Sequence, residues 1–390
     1  MSPPNSDRSP TILVDTVPIV PGRTSTGVKV YLLDLLRALP EARRSTITLL
    51  TTQSNASLFD SLDGYSTVTL PWSVRRRPVR VLTQQFMVPI VAMQGGIDVL
   101  FEPVDTAAIL SPVPIVTSLH SGPINMEANQ MGGIRSLYNR LFLQSTAWRS
   151  KRLIAISEFV KQSLVDVLGV NEDRVRVVHH GGGIVEEARN RGWTSSEEKR
   201  TGGILFVSTL YPHKNPDQLI RAYARLENRQ SELPPLIIVG GDTDGENPTE
   251  ERGTERDRLS RLADHLGVGE QVEFPGRISD EELLDLFATS RLMVYPSSLE
   301  GFGIPAVEAM QAGLPLVASN RTSIPEIVGE GGILIDPNDV EAMADRMEEV
   351  LFNDEVRHRL IGAGRKRGEK FSWNRAGEET LQVLKEAASI

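Results

Sequence analysis

Short apolar runs alternate along the chain with longer stretches in which apolar positions recur every three or four residues. Runs of the first kind suit strands buried on both faces. Stretches of the second kind suit helices laid over them, so the alternation predicts βαβ units and parallel sheets. In the first half, strands are predicted at residues 11–15, 46–50, 99–101, 115–119, 153–156 and 175–178, with helices over 27–39, 134–148 and 158–168. Residues 181–203 lapse into glycine, charge and hydroxyl side chains without an apolar period, and read as a linker. The alternation then restarts, with strands at 204–208, 236–239, 272–274, 292–295, 316–318 and 333–335. From Asn338 to Ala388 the pattern predicts successive helices, broken near 362–368 and at 371–373.

The expected class is therefore α/β, two Rossmann-like domains facing a cleft, the first over residues 1–185 and the second over 186–372. Open parallel sheets bind ligands beyond the carboxyl ends of their strands, where strand order reverses, so function is expected in those loops.

A chain of 390 residues, 40% hydrophobic and 24% charged, is ordinary globular material long enough for two cores. Its formal net charge of -9 argues against a general nucleic-acid binder, which needs a basic face for phosphates. The absence of cysteine excludes disulfides, thiolate nucleophiles and Cys-ligated zinc, and fits a cytoplasmic protein. Residues 1–10 are polar and proline-rich, and read as a loose tail rather than a signal or anchor. The longest apolar stretch, 86–97, is interrupted by Pro89, Gln94, Gly95 and Gly96. It falls short of the roughly 18 apolar residues a spanning helix needs. Arg75, Arg76, Arg77 and Arg80 stand beside Trp72 and the apolar residues 81–92. Two readings stay open there: contact with an anionic membrane surface or lipid phosphate, or a solvated loop followed by a buried helix.

The strand at 292–295 runs into PSSLEGFGIP (residues 296–305) and then a helical pattern through Ala312. Gly301 and Gly303 let the backbone approach a ligand, and free N–H groups at a helix start attract an anion such as phosphate. Pro305 suits the first helical position. Glu300 and Glu308 flank this site, where a carboxylate repels phosphate unless it has hydroxyls to bind; alone, either glutamate would read as a solvated charge or a dipole partner.

The stretch EGFGIPAVE from Glu300 to Glu308 resembles, almost residue for residue, the two-glutamate motif of family 4 of the retaining glycosyltransferases, proteins of GT-B type. The resemblance implies that Glu300 contacts donor sugar hydroxyls and Glu308 the ribose. It implies that the loop of Gly301, Phe302, Gly303 and Ile304 faces sugar and phosphate. LFVSTLYPHKNPDQL (205–219) is similar to the start of the family's donor domain and gives Lys214 the donor diphosphate; by itself Lys214 would read as a surface lysine. Thr209 stands where the family often has an arginine, so one cationic contact is expected to be missing.

Other likenesses extend over nearly the whole chain. Thr24 to Gly27 resembles the family's glycine loop, with one glycine where two are common, and Gly27 reads equally as a flexible helix start. His120, at a strand end, takes the place of a histidine near the donor sugar, and Arg277 lies where the family holds the base. Ser157 reads as a helix cap in a segment, 154–168, that matches the family's strand and helix before the hinge. His179 and His180 are adjacent and should point oppositely, against a joint metal site. The helix from Trp373 onward is expected to pack back on the first domain, as the resemblance implies.

The implied function is retaining, metal-independent transfer of a hexosyl group, mannosyl or related, to a glycan, glycolipid or small molecule, with Glu300, Lys214 and His120 as the catalytic set. GDP-mannose is the donor suggested, because STLYPHKN looks like mannosyl- and rhamnosyl-type members; it is a substrate, and no cofactor is implied. A related epimerase or phosphorylase, and a silent nucleotide-sugar binder, are the rivals. Asp242-Thr-Asp244 imitates a metal-binding Asp-x-Asp but reads as a solvated turn. No G-x-G-x-x-G follows the first strand of either half, which demotes dehydrogenases.

Overall fold

The computed structural model describes residues 9–21, 26–120, 134–230, 232–241 and 254–389, and every strand pair among them is parallel. The chain divides into two units, Met1–His180 with Trp373–Ile390, and Gly181–Ser372, where the sequence reading set the division at 185/186.

The first unit has strands β1 (Ile12–Asp15), β2 (Ile47–Thr52), β3 (Ser66–Leu70), β4 (Val99–Glu102), β5 (Ile115–Leu119), β6 (Arg152–Ala155) and β7 (Val175–Val177). They pair in the order β3-β2-β1-β4-β5-β6-β7, so strand order reverses between β1 and β4. Successive β1 side chains serve opposite faces. Ile12 and Val14 join one apolar cluster with Leu32, Leu35 and Trp373, while Leu13 joins another with Leu100, Val88 and Ala92. The helices are α1 (Thr26–Ala38), α2 (Glu41–Arg44), α3 (Arg77–Leu82), α4 (Val88–Gln94), α5 (Ile134–Arg149) and α6 (Glu158–Leu168), with a π turn at Thr83–Met87 between α3 and α4. The C-terminal helix Trp373–Ala388 packs on α1 within this unit. Ser157 caps α6 by accepting from Val160 N (3.2 Å), and Gly169 closes it at φ 65°.

Two features of this unit depart from the sequence reading. Strand β3 was missed because its residues Ser-Thr-Val-Thr are exposed on a sheet edge and only Leu70 is buried. After the arginines, residues 77–94 form one helical run that is buried on one side only, in place of a solvated loop followed by a buried helix. Its π turn ends at Met87, two residues before Pro89, which has no N–H to offer and whose ring would clash in a regular α-helical ladder.

The second unit has β8 (Ile204–Val207), β9 (Leu236–Val239), β10 (Val272–Gly276), β11 (Leu292–Tyr295), β12 (Leu316–Ser319) and β13 (Ile333–Ile335), in the order β10-β9-β8-β11-β12-β13. Its helices are α7 (Gly183–Asn190), α8 (Pro216–Glu227), α9 (Glu255–His265), α10 (Asp280–Thr289), α11 (Ile304–Gln311), α12 (Ile324–Val328), α13 (Val340–Phe352) and α14 (Asp354–Gly368). Helix α7 corrects the expected linker: Val185 is fully buried, and Glu186 accepts from the N-cap Gly182 N (2.8 Å), which ties its carboxylate to the helix start. The expected break at 362–368 lies inside α14. Gly364 and Gly368 are used there for close approach to Met310 and Gln311, not to end a helix.

Candidate functional site

Strand order in the second sheet reverses between β8 and β11, and the loops leaving these two strands carry Lys214 and Glu300. A short 3-10 turn, Pro212–Lys214, follows β8 and ends at Asn215, which is left-handed at φ 55°. Asn215 fastens this loop to the next one by donating from Nδ2 to Pro296 O (2.9 Å) and Ser298 Oγ (2.5 Å). Ser298 N returns a bond to His213 O (2.8 Å). The result places Lys214 Nζ 2.6 Å from Glu300 Oε1, with side chains only 13% and 11% exposed. Tyr295 OH donates to the same carboxylate oxygen. Burial first, and then the charge of Glu300, hold the Tyr295 phenol well above its usual range, so it stays a neutral donor.

On the other side of Glu300, its N–H donates to Thr322 Oγ1 (3.1 Å), and Ser323 Oγ donates to the carbonyls of Glu300 and Phe302 (both 3.1 Å). Asn215 and Thr322 (both φ 55°) are the non-glycine residues of positive φ among the described residues, and both touch this loop pair. A β-branched residue in that region is uncommon and costs on the order of 1–3 kcal/mol, a strain that marks over-determined sites. Sequence reasoning missed Tyr295, Asn215, Thr322 and Ser323; nothing in the identity of a threonine announces a positive φ, and Tyr295 reads simply as a strand residue.

Gly303 precedes α11 at φ 103°, and a Cβ there would stand 2.7 Å from Ile324 Cδ1. No side chain caps α11; Pro305 has no N–H and Ala306 N donates to Gly303 O (3.0 Å), so what this helix start offers an anion, beside the loop that ends at Glu300, is chiefly its dipole. Pro305 occupies the second helical position, after Ile304. Phe302 is buried edge-on against Phe371 (5.7 Å between centroids) and holds the loop down. Glu308 lies beyond the first turn of α11. Its Oε1 accepts from Ile184 N (3.0 Å) in the first turn of α7. That approach needs glycine at 183, where φ is +50° and a Cβ would stand 2.3 Å from the same oxygen.

Thr209 is exposed just beyond β8, and the guanidinium of Arg277, after β10, lies against Gly241, whose Cβ position is 2.6 Å from Arg277 Nε. Asp242 and Asp244 fall outside the described residues, as do Thr24 and Ser25.

In the first unit, Gly27 is exposed in the first turn of α1. His120 directly follows β5 and meets Tyr31, one turn further along α1, edge-on at 4.4 Å. His120 N donates to Asp105 Oδ1 (2.7 Å), and Nε2 lies 2.8 Å from Pro103 O. A carbonyl only accepts, so Nε2 carries the proton and Nδ1 keeps its lone pair. Burial holds the His120 pKa below its ordinary value, so the ring is neutral at pH 7. His180 stacks on Trp373 at 5.3 Å and does not share a metal-ligand group with His179 among the described residues.

The reversal point of the first sheet holds a carboxyl pair that sequence reading also missed. Asp15 and Glu102 end β1 and β4, both fully buried, and Gln84 Nε2 from the π turn reaches Asp15 Oδ2 (3.0 Å), Glu102 Oε2 (3.2 Å) and Thr106 Oγ1 (3.2 Å). Ala108 N completes the shell at Glu102 Oε1 (2.7 Å). Burial, then the neighbouring Asp15 charge, push the Glu102 carboxyl well above the usual range, so it is the member that carries the proton.

Comparison with known proteins fits this fold. Residues 192–367 match the family model described as Glycosyl transferases group 1, and residues 25–181 match that described as Glycosyltransferase Family 4. O-antigen chain mannosyltransferase B of Escherichia coli is 36% identical over 184 residues, which take in 47% of this chain and 46% of that protein, so the match spans just under half of that relative's length. An uncharacterized glycosyltransferase of Methanocaldococcus jannaschii is 30% identical over 297 residues, 71% of this chain and 70% of its own. The solved structure of Anabaena Alr3699/HepE in complex with UDP and glucose shares the fold, with TM-score 0.71 at 18% identity over 96% of this chain and 99% of that one.

Proposed function

The chain belongs to the family 4, group 1 glycosyltransferases, and from that premise we propose that it transfers a mannosyl or related hexosyl group from GDP-mannose, with retention, to a glycan, lipid-linked or small-molecule acceptor. The observation that carries the reading is the Lys214–Glu300 pair at the reversal point of the second sheet, beside the uncapped start of α11. A diphosphate is a better partner for a lysine and a helix start than a carboxylate is, because it offers more charge and more acceptors. When the donor binds, Lys214 moves its charge to the leaving diphosphate and Glu300 turns to sugar hydroxyls. Glu308 meets the ribose, Arg277 the base and His120 the transferring sugar. The mannosyl choice rests on the likeness to the Escherichia coli mannosyltransferase.

Lys214 and backbone N–H groups can stabilise the leaving group without a cation, so transfer is expected to continue in excess chelator. The test is a thermal-shift screen of nucleotide sugars followed by transfer assays over an acceptor panel, with and without chelator. A melting point raised by GDP-mannose, with sugar transfer, supports the reading. A shift only with another nucleotide sugar overturns the donor, and binding without transfer to any acceptor overturns the activity.

A further inference from the structure

Among the described residues thirteen large apolar side chains are exposed, and eight of them fall in one region of the first unit: Val79, Leu82, Phe86, Ile90, Met93, Leu110, Leu141 and Trp148. Isolated exposed apolar residues are normal on a protein surface, whereas a contiguous patch marks a contact. Val79, Leu82, Phe86, Ile90 and Met93, each 37–61% exposed, follow one another at helical spacing along the run from α3 through the π turn to α4. The other side of this run, with Gln84, Val88 and Ala92, is buried, so the helix is seated and the stripe is what it leaves outside.

The patch continues past the helix. Gln85 donates to Ala107 O (2.8 Å) and accepts from Ile109 N (3.0 Å), while Arg149, at the end of α5, donates to Ile109 O (2.9 Å). The loop bearing Leu110 (57% exposed) is thus tied on one side to the stripe and on the other to α5, whose Leu141 and Trp148 are 54% and 67% exposed. Residues 141 and 148 lie about two turns apart and share a side of the helix.

Within the two helical segments that carry most of this patch, the charge has one sign. Arg75, Arg76 and Arg77 are exposed at the head of the stripe, with Arg80 one turn on. From Gly64 to Ile97 there is no acidic residue, and none in α5 either, in a chain whose net charge is -9. An apolar stripe lying flat, arginines beside it and a tryptophan at its border match the two layers of a bilayer surface: hydrocarbon for the stripe, phosphate for the arginines and the boundary for the indole. A second copy of the chain would bring the same arginines to the same face. No helix among the described residues is long and apolar enough to cross a membrane, so any such contact is in-plane.

We propose that this face of the first unit is an in-plane anchor for an anionic lipid bilayer. It does not depend on which sugar or acceptor the protein uses.

Co-sedimentation with vesicles of phosphatidylcholine alone and of phosphatidylcholine with phosphatidylglycerol tests it. The full chain is compared with R75Q/R76Q/R77Q/R80Q and with L82S/F86S/M93S, whose substituted side chains are largely exposed; each variant is first shown to melt as the wild type does. The expected result is at least about tenfold stronger partitioning onto the anionic vesicles, a loss of about tenfold or more in each variant, and quenching of Trp148 by brominated lipid that W148F removes. Equal partitioning onto both vesicles would overturn the proposal, as would a serine variant that binds like wild type. So would a lipid-free dimer that the serine substitutions dissociate, which would assign the face to a second copy.

Discussion

Lys214 Nζ and Glu300 Oε1 meet at 2.6 Å across two loops that leave neighbouring strands. Neither group is exposed enough for water to screen it, so removing one leaves the other charged and poorly solvated. Lys214→Ala should cost about 2 kcal/mol of stability. Adding Glu300→Gln to it should restore part of that loss, a non-additivity that a urea-denaturation cycle reads directly. In transfer assays Glu300→Gln should lose at least about tenfold in kcat/KM, since one charge-assisted hydrogen bond of about 1.5–3 kcal/mol is removed. Additive stabilities, or a fully active Glu300→Gln, would count against the pair.

Glu308 separates packing from chemistry. Its Oε1 accepts from Ile184 N, a bond a glutamine oxygen can also make, so Glu308→Gln should keep the fold and change stability by less than about 1.5 kcal/mol. Transfer should nonetheless fall about tenfold or more if the carboxylate also serves the ribose. Glu308→Ala, which loses the Ile184 bond as well, should melt lower than the glutamine variant.

The alternation of apolar runs located twelve of the thirteen strands among the described residues, because a buried parallel strand writes its burial into consecutive apolar residues. Segment 181–203 was illegible for the opposite reason, since its structure is held by backbone and polar groups. The guanidinium of Arg200 donates to Phe287 O (2.9 Å), Ser290 O (3.0 Å) and Ala312 O (2.6 Å), at the ends of α10 and α11. An arginine in a polar stretch gives no sign of such a task. The site followed the same division: Glu300, Glu308 and Lys214 came from a motif, while Tyr295, Asn215 and Thr322 act through positions that only folding reveals.

Gly183 supplies a prediction from that illegible segment. Its φ of +50° and the 2.3 Å separation between a Cβ and Glu308 Oε1 leave no room for alanine. Gly183→Ala should lower stability by about 1–3 kcal/mol and displace Glu308, while Gly192→Ala, at φ +89° but with nothing near its Cβ, should perturb only stability. A Gly183→Ala variant with wild-type melting and donor affinity would remove the role assigned to this contact.

The pair Asp15 and Glu102 predicts a pH dependence of fixed sign. Glu102 is held well above the ordinary carboxyl range by burial and by Asp15, so the folded chain keeps a proton that the unfolded chain has released. Stability from such a group is complete below the unfolded pKa and is lost as pH rises through the folded one. Between about pH 5 and about pH 8 the wild-type melting temperature should therefore fall more steeply than that of Glu102→Gln, which carries no titrating proton there. Parallel slopes in differential scanning calorimetry would show that Glu102 is ionised in the folded protein.

The sugar delivered should keep the anomeric configuration it had in the donor, without a lasting covalent intermediate. Double displacement needs a nucleophilic side chain on the face opposite the leaving group and free to attack the anomeric carbon. Glu300 is assigned to sugar hydroxyls and Glu308 to the ribose, and the chain has no cysteine. Attack from the leaving-group side asks less of the protein. The departing phosphate oxygen takes the acceptor proton, while Lys214 and the start of α11 steady the charge that develops on the diphosphate. His120, neutral and with Nε2–H committed to Pro103 O, would orient the sugar rather than relay a proton. Proton NMR of the first-formed product reads the stereochemistry directly. An inverted anomer would sink the retaining assignment, whereas a trapped glycosyl-enzyme adduct would leave retention standing and replace only the route.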